Sequence, residues 1–217
     1  MSVKYSYINL FPSPIHILDV DGFDELKDDL IDKIYELKEE DPKGMSISNR
    51  NGWQSKGFDV SDEGGIIHSS ILQGLRSFPV VKNTTTMVAS AWININSPGA
   101  YNVKHSHPES QLSGVMWIKS PKDSGVIEFE NPNSHEAFTE INAYVEEFKE
   151  KNSVYPVYWF SPIEGRMLVF PSHLRHLVEE NKSNEDRIYY FYLISYDSDQ
   201  NRLSQTYQRC LNPYHFP

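Results

Sequence analysis

One cysteine, Cys210, is too few for a disulfide within the chain, so no covalent cross-link staples the fold. Such usage fits a reducing cytosol, and a cytoplasmic protein is expected. No run approaches the ~20 consecutive apolar residues that a membrane-crossing helix needs. The opening MSVKYSYINLFPSPIHILDV also lacks the unbroken apolar core and small-residue cleavage site of a secretion signal. Positive charge is scarce: 20 Lys and Arg stand against 30 Asp and Glu, a formal net charge of −10. That balance argues against a general electrostatic grip on nucleic acid or on an anionic membrane. Internal repeats and low-complexity segments are absent as well.

What is present is a patterned globular sequence. At 217 residues it suits one domain. Three parts are expected: an N-terminal strand with supporting helices over 1–85, a β core over 86–196, and a tail over 197–217. The tail, polar and then aromatic, suits a packing arm or a homodimer contact. Residues 4–20 read as an extended segment, bent or at an edge because of Pro12 and Pro14. Phe23, Leu26, Leu30, Ile34 and Leu37 recur at spacings of three and four, which predicts an amphipathic helix ended by Pro42 and Gly44. Residues 43–62 read as a loop, in which Trp53 is either a core plug or a wall of the substrate entrance. A second helix is expected over 63–77.

Then the period changes to two. Residues 87–95 alternate, with Trp92 and Asn94 on one face and Ala91, Ile93 and Ile95 on the other. Further strands are predicted over 112–118, 126–129, 154–160, 166–170 and 187–196, with a helical pattern over 138–149. Helices followed by six or more short strands predict a mainly β protein, a jelly roll with N-terminal helices packed on it.

The chemistry concentrates in residues 91–118, AWININSPGAYNVKHSHPESQLSGVMWI. His105 and His107 stand two apart, where an extended chain turns side chains to one side. Two neutral imidazoles there are the start of a transition-metal site. A second group lies late in the chain, where the strand ending at Phe170 runs into His173 and His176 and Arg187 opens the last strand. The plain alternatives are surface polarity for the His pair and a surface ion pair to Glu185 or Asp186 for Arg187. His16, His68, His135 and His215 are expected to be ordinary surface or hydrogen-bonded residues.

The phrases HSHPESQLSGVMWI and FPSHLRHLV…NEDRIYYFY resemble the non-haem iron(II), 2-oxoglutarate-dependent oxygenases. Within that superfamily they are most similar to the prolyl-hydroxylase-like group, including a compact phage and bacterial subgroup. The resemblance covers roughly residues 86–196. It implies a double-stranded β-helix with Fe(II) as cofactor and 2-oxoglutarate as cosubstrate. The implied reaction oxidises an unidentified peptidyl or small-molecule substrate, with succinate and carbon dioxide as coproducts. His105 falls on the first ligand of the family's His-x-Asp/Glu motif, His176 on its distal His, and Arg187 on the base that anchors the far carboxylate of 2-oxoglutarate. Asn96 and Trp117 fall near cosubstrate contacts, Trp117 where the family has a Tyr.

The departure from the family is His107, which stands at the carboxylate position. Either His105, His107 and His176 bind the metal together, or His107 and Glu109 form a shifted His-x-Glu motif with His105 outside. His173 in place of His176 is a further variant. A three-histidine set brings no protein negative charge to the iron. Two rivals accompany this reading: a three-His, cupin-like metal enzyme that does not use 2-oxoglutarate, and a non-catalytic jelly-roll binding or structural protein. The segments around Trp53 and over 131–153 are the expected lid.

Overall fold

The structure is a computed structural model that describes residues 6–7, 12–57, 85–133 and 141–197. The helix expected over 63–77 and the tail lie outside the described residues. The described strands are β1 (His16–Asp19), β2 (Asn49–Arg50), β3 (Trp53–Gln54), β4 (Thr85–Asn96), β5 (Tyr101–His105), β6 (Leu112–Lys119), β7 (Ile127–Glu130), β8 (Val157–Phe160), β9 (Arg166–Pro171), β10 (His176–Val178) and β11 (Arg187–Asp197). Helix α1 spans Phe23–Glu40 and α2 spans Glu146–Asn152.

Two sheets form, one in the order β1-β9-β6-β11-β4-β3 and one in the order β2-β5-β10-β7-β8. From β4 to β7, and again from β8 to β11, successive strands alternate between the sheets. That alternation is the winding of a double-stranded β-helix, so the jelly roll expected from the strand pattern is the fold observed. Every strand pair is antiparallel.

The period-two pattern of β4 sorts the molecule into layers. Residues paired across an antiparallel ladder share a face. Ala91, Ile93 and Ile95 therefore join Ile188, Tyr190, Tyr192 and Ile194 of β11 on one face, and α1 covers that face through Phe23 and Ile34. The helix is held there by burial of its apolar stripe, since its Gly22 cap offers no side-chain bond to the first turn. Trp92, Asn94 and Asn96 pair with Phe191, Tyr189 and Arg187 on the opposite face. That face turns toward the five-stranded sheet. Val115, Trp117, Ile127, Phe129, Leu168, Phe170 and Val178 make up much of this inner core.

The stretch expected to be a loop over 43–62 contains β2 and β3, which add to the sheet edges by pairing with Tyr101–Asn102 and with Asn94–Ile95. Two-residue strands carry no period, so no pattern announces them. Trp53 is a plug: it is 6% exposed in the outer core, and its indole N–H donates to the Asp41 carbonyl at 2.8 Å. It therefore ties down the end of α1 and belongs to no lid. The helical pattern over 138–149 resolves, among described residues, into a 3₁₀ turn over Ile141–Ala143 and then α2. β1 is an edge strand, in keeping with the prolines before it.

Candidate metal centre

Two strand ends and the turn after β5 bring three imidazoles together. His105 ends β5 and His176 opens β10, and the two are direct cross-strand partners. His107 lies just past β5, held by its backbone N–H donating to the Ser172 carbonyl at 2.9 Å. Ring centroids are 4.4 Å apart for His105–His176, 4.9 Å for His105–His107 and 5.3 Å for His107–His176. One ring nitrogen from each lies within 4.8 Å of the others, and no carboxylate joins the group among the described residues.

The tautomers follow from the backbone. His105 Nδ1 lies 2.7 Å from the Val103 carbonyl, and His176 Nδ1 lies 3.0 Å from the Leu174 carbonyl. A carbonyl only accepts, so each Nδ1 carries the hydrogen and each Nε2 presents its lone pair. Nε2 of His176 and Nε2 of His107 are buried without a hydrogen-bond partner. Orphaned buried nitrogens cost stability unless something accepts their lone pairs, and a metal ion is the partner that three converging lone pairs suit. The donor set fits iron(II), because imidazole is a ligand type that iron takes.

Aromatic walls keep these rings neutral. Phe191 packs 4.8 Å from His107 and stacks on His176 at 5.9 Å, while Phe170 and Phe129 close the far side of His176 at 5.0 and 5.9 Å. Burial, followed by the neighbouring His176 and His105, lowers the His107 pKa to about 2. Burial, followed by His105, lowers that of His176 to about 3. His105 is also lowered, mainly by burial. Trp92 stacks on Phe191 at 4.9 Å, stands 5.9 Å from His107, and is only partly buried.

A polar layer lies between the two sheets, mostly on the inward face of β4 and β11. Arg187 is fully buried. Its guanidinium donates to the Ser124 carbonyl and, at 3.0 Å, to the Glu179 carbonyl, while Nε has no partner. Neither acid proposed as a surface partner takes it: Glu185 pairs with Lys119 at 2.9 Å, and Asp186 accepts from the Tyr35 hydroxyl at 2.9 Å. No described carboxylate forms an ion pair with Arg187. Gly125, at φ +85°, lets the guanidinium in, since a Cβ there would sit 3.0 Å from Nη1.

Beside Arg187, the Tyr189 hydroxyl donates to Asn102 Oδ1 at 2.7 Å, and Asn96 Nδ2 donates to the same oxygen at 3.0 Å. Burial holds the Tyr189 phenol far above its ordinary pKa, so it stays a donor. Asn94 Oδ1 and Asn96 Oδ1 are buried without partners. Trp117 pairs with Tyr189 and is buried on this face.

Thus His105, His107 and His176, at the five-stranded sheet, and Arg187, Asn96 and Trp117, on the six-stranded one, all lie on the inner side of the fold. Glu109 and His173 do not join the cluster; both are exposed in turns. Tyr189 and Asn102 belong to the polar layer but escaped the sequence reading, which gave Asn94 its face and no role. Counting in twos from Arg187 reaches Tyr189. Asn102 offers no such signal, because a bulge breaks the register of β5 against β10.

Residues 90–192 match the family described as "Putative 2OG-Fe(II) oxygenase", a span that contains all six of those residues. No curated protein sequence matches the chain. The fold is similar to that of a prolyl-4-hydroxylase from Pseudomonas putida, at 14% identity and TM-score 0.55, covering 83% of this chain and 92% of that one. It is also similar to a viral collagen prolyl hydroxylase from Paramecium bursaria Chlorella virus-1, at 18% identity and TM-score 0.51, covering 83% and 94%. HygX from Streptomyces hygroscopicus, solved with nickel and 2-oxoglutarate, aligns at 10% identity and TM-score 0.57, covering 84% and 83%. Over residues 90–192 the chain is therefore similar to the 2OG-Fe(II) oxygenases, oxidoreductases that use iron(II) and 2-oxoglutarate.

Proposed function

We propose that the chain is an Fe(II)- and 2-oxoglutarate-dependent dioxygenase of the hydroxylase type, with His105, His107 and His176 as the metal ligands. Arg187 anchors the distal carboxylate of 2-oxoglutarate, and Asn96 and Trp117 flank it. The observation that carries this reading is a pairing on the inner side of the two sheets: buried, unpartnered imidazole nitrogens, and a buried guanidinium that forms no ion pair among the described residues.

Each residue has a defined task. His105 and His176 are fixed as Nε2 donors by the carbonyls that hold their Nδ1 hydrogens. Phe129, Phe170 and Phe191 exclude water and keep the imidazoles uncharged, as ligation requires. Arg187 offers a planar fork, with its free Nε–H, to a carboxylate. Trp92, partly buried beside His107, forms the wall against which a substrate lies. The bound cofactors supply oxidation by dioxygen, with succinate and carbon dioxide as coproducts. The proposed substrate is peptidyl or a small molecule.

Anaerobic addition of Fe(II) and 2-oxoglutarate tests the assignment. The expected result is a weak visible charge-transfer band that requires both additions and is lost in His176→Ala. Stoichiometric metal binding without the band, and without 2-oxoglutarate binding, would instead favour a three-His metal enzyme of another cosubstrate. The all-nitrogen donor set is the observation on that side.

A further inference from the structure

We propose that Ser172 is a positioning residue for His107: its buried hydroxyl ties the turn after β9 to the turn after β5 and so sets where the third imidazole stands. This rests on the ligand assignment above.

The three histidines are not held alike. The rings of His105 and His176 are each fixed by Nδ1 on a carbonyl two residues back, at 2.7 and 3.0 Å. Both residues also lie in strands that pair with each other. His107 lies past the end of β5, and its Nε2 has no hydrogen-bond partner. Phe191 and Trp92 pack on its ring at 4.8 and 5.9 Å, but apolar contact is non-directional. The aim of this imidazole is therefore set by the backbone of the turn that carries it.

Ser172 grips that turn. Its carbonyl accepts from the His107 N–H at 2.9 Å, and its own N–H donates to the Gln111 carbonyl at 3.0 Å. Its Oγ lies 2.7 Å from Ser110 Oγ and 2.7 Å from Ser113 Oγ. The far end of this hydroxyl chain sets its direction. Ser110 Oγ donates to the Leu112 carbonyl at 3.2 Å, and a carbonyl only accepts. The Ser172 hydrogen therefore goes to Ser110, and the Ser113 hydrogen goes to Ser172. Ser172 and Ser113 are buried, so these links are shielded from competing water. The same turn after β9 supplies the Leu174 carbonyl that fixes His176, and Leu174 N–H donates to the Pro171 carbonyl at 3.0 Å. One buried serine thus joins the segment that holds His107 to the segment that holds His176. Ser113 separates this role from mere filling of a polar gap. It is buried in the same chain, yet it sits within β6, fixed by pairing with Phe170 and Leu193. Its loss removes a hydrogen bond and leaves the link from Ser172 to Ser110 intact.

The test is anaerobic titration of Co(II) into the full metal-free chain, read by calorimetry and by the visible Co(II) bands. Ser172→Ala should weaken Co(II) roughly tenfold or more, the scale on which a residue supporting a metal ligand acts. Its bands should move toward those of His107→Ala. Ser113→Ala should keep the wild-type bands and an affinity within about twofold of wild type. Ser172→Thr, which restores the hydroxyl, should recover the wild-type bands. Should Ser172→Ala fail to fold, Ser110→Ala cuts the same link from a half-buried turn and should shift the bands in the same direction. Wild-type affinity and bands in Ser172→Ala, or in Ser110→Ala where that variant decides, would overturn the tether while leaving the three-histidine site standing. Equal weakening by Ser113→Ala and Ser172→Ala would do the same. A wild-type chain that binds no Co(II) would overturn the ligand assignment and the tether with it.

Discussion

Replacing Arg187 with Met separates a functional guanidinium from a structural one. The wild-type side chain is fully buried, bonded to two backbone carbonyls and to no acid. Losing two neutral acceptors' partners costs about 2 kcal/mol at about 1 kcal/mol net each. Against this, an unpaired buried cation carries a desolvation cost of several kcal/mol that Met removes. The two effects oppose, so the metal-free variant should unfold within about 2 kcal/mol of wild type, in either direction. For 2-oxoglutarate there is no such offset. A lost charge-assisted, two-pronged contact of about 3 kcal/mol weakens binding roughly 100-fold. Urea unfolding gives the first quantity and anaerobic titration of 2-oxoglutarate into Mn(II)-loaded protein gives the second. An affinity within threefold of wild type, with a large loss of stability, would refute the anchor and make Arg187 a strut for the Ser124 and Glu179 loops.

Three other outcomes are expected. Gly125→Ala combines a φ of +85° with a Cβ 2.8 Å from the Glu180 carbonyl and 3.0 Å from Arg187 Nη1, so urea unfolding should show a loss of about 2–3 kcal/mol, accompanied by weaker 2-oxoglutarate binding. Asn102→Ala leaves the Tyr189 hydroxyl and the Asn96 amide without their shared acceptor, and unfolding should register about 2–4 kcal/mol. The pKa values of His107 and His176, depressed to about 2 and about 3, mean that unfolded imidazoles take up protons that the folded ones refuse. Metal-free protein should therefore hold its stability above pH 6.5 and lose about 2 kcal/mol between pH 6.5 and 5.5. A flat urea midpoint over that range, in chelator, would contradict neutral burial of these rings.

Much of the architecture was legible because burial imposes a period. The stripe Phe23, Leu26, Leu30, Ile34, Leu37 can only be a helix laid on a core, and α1 follows it. Alternation over 87–95 predicted both the strand and its two faces, and β4 carries Ala91, Ile93 and Ile95 toward α1 with Trp92 and Asn94 inward. The elements that no pattern announced are the shortest ones: β2, β3 and β10 have two or three residues each. His176 was expected in a turn after the Phe170 strand and instead opens β10, where pairing with β5 sets it against His105.

The sequence by itself determined which residue types were available: two histidines at i and i+2, a later pair, an arginine opening the last strand, and a histidine at 107 where the resembled family has an acid. It determined the layers too, because side-chain hydrophobicity and strand period are local properties. Only the tertiary structure shows which of the candidate side chains come together. Glu109 and His107 are near in sequence, yet the turn after β5 leaves the carboxylate in solvent, while His176, far along the chain, becomes the direct cross-strand partner of His105. The same is true of Arg187: acids flank it at 185 and 186, but β11 carries its side chain inward and theirs elsewhere. Which lone pairs meet, and which charge goes without a partner, depends on strand register across two sheets, and register is a property of the assembled fold.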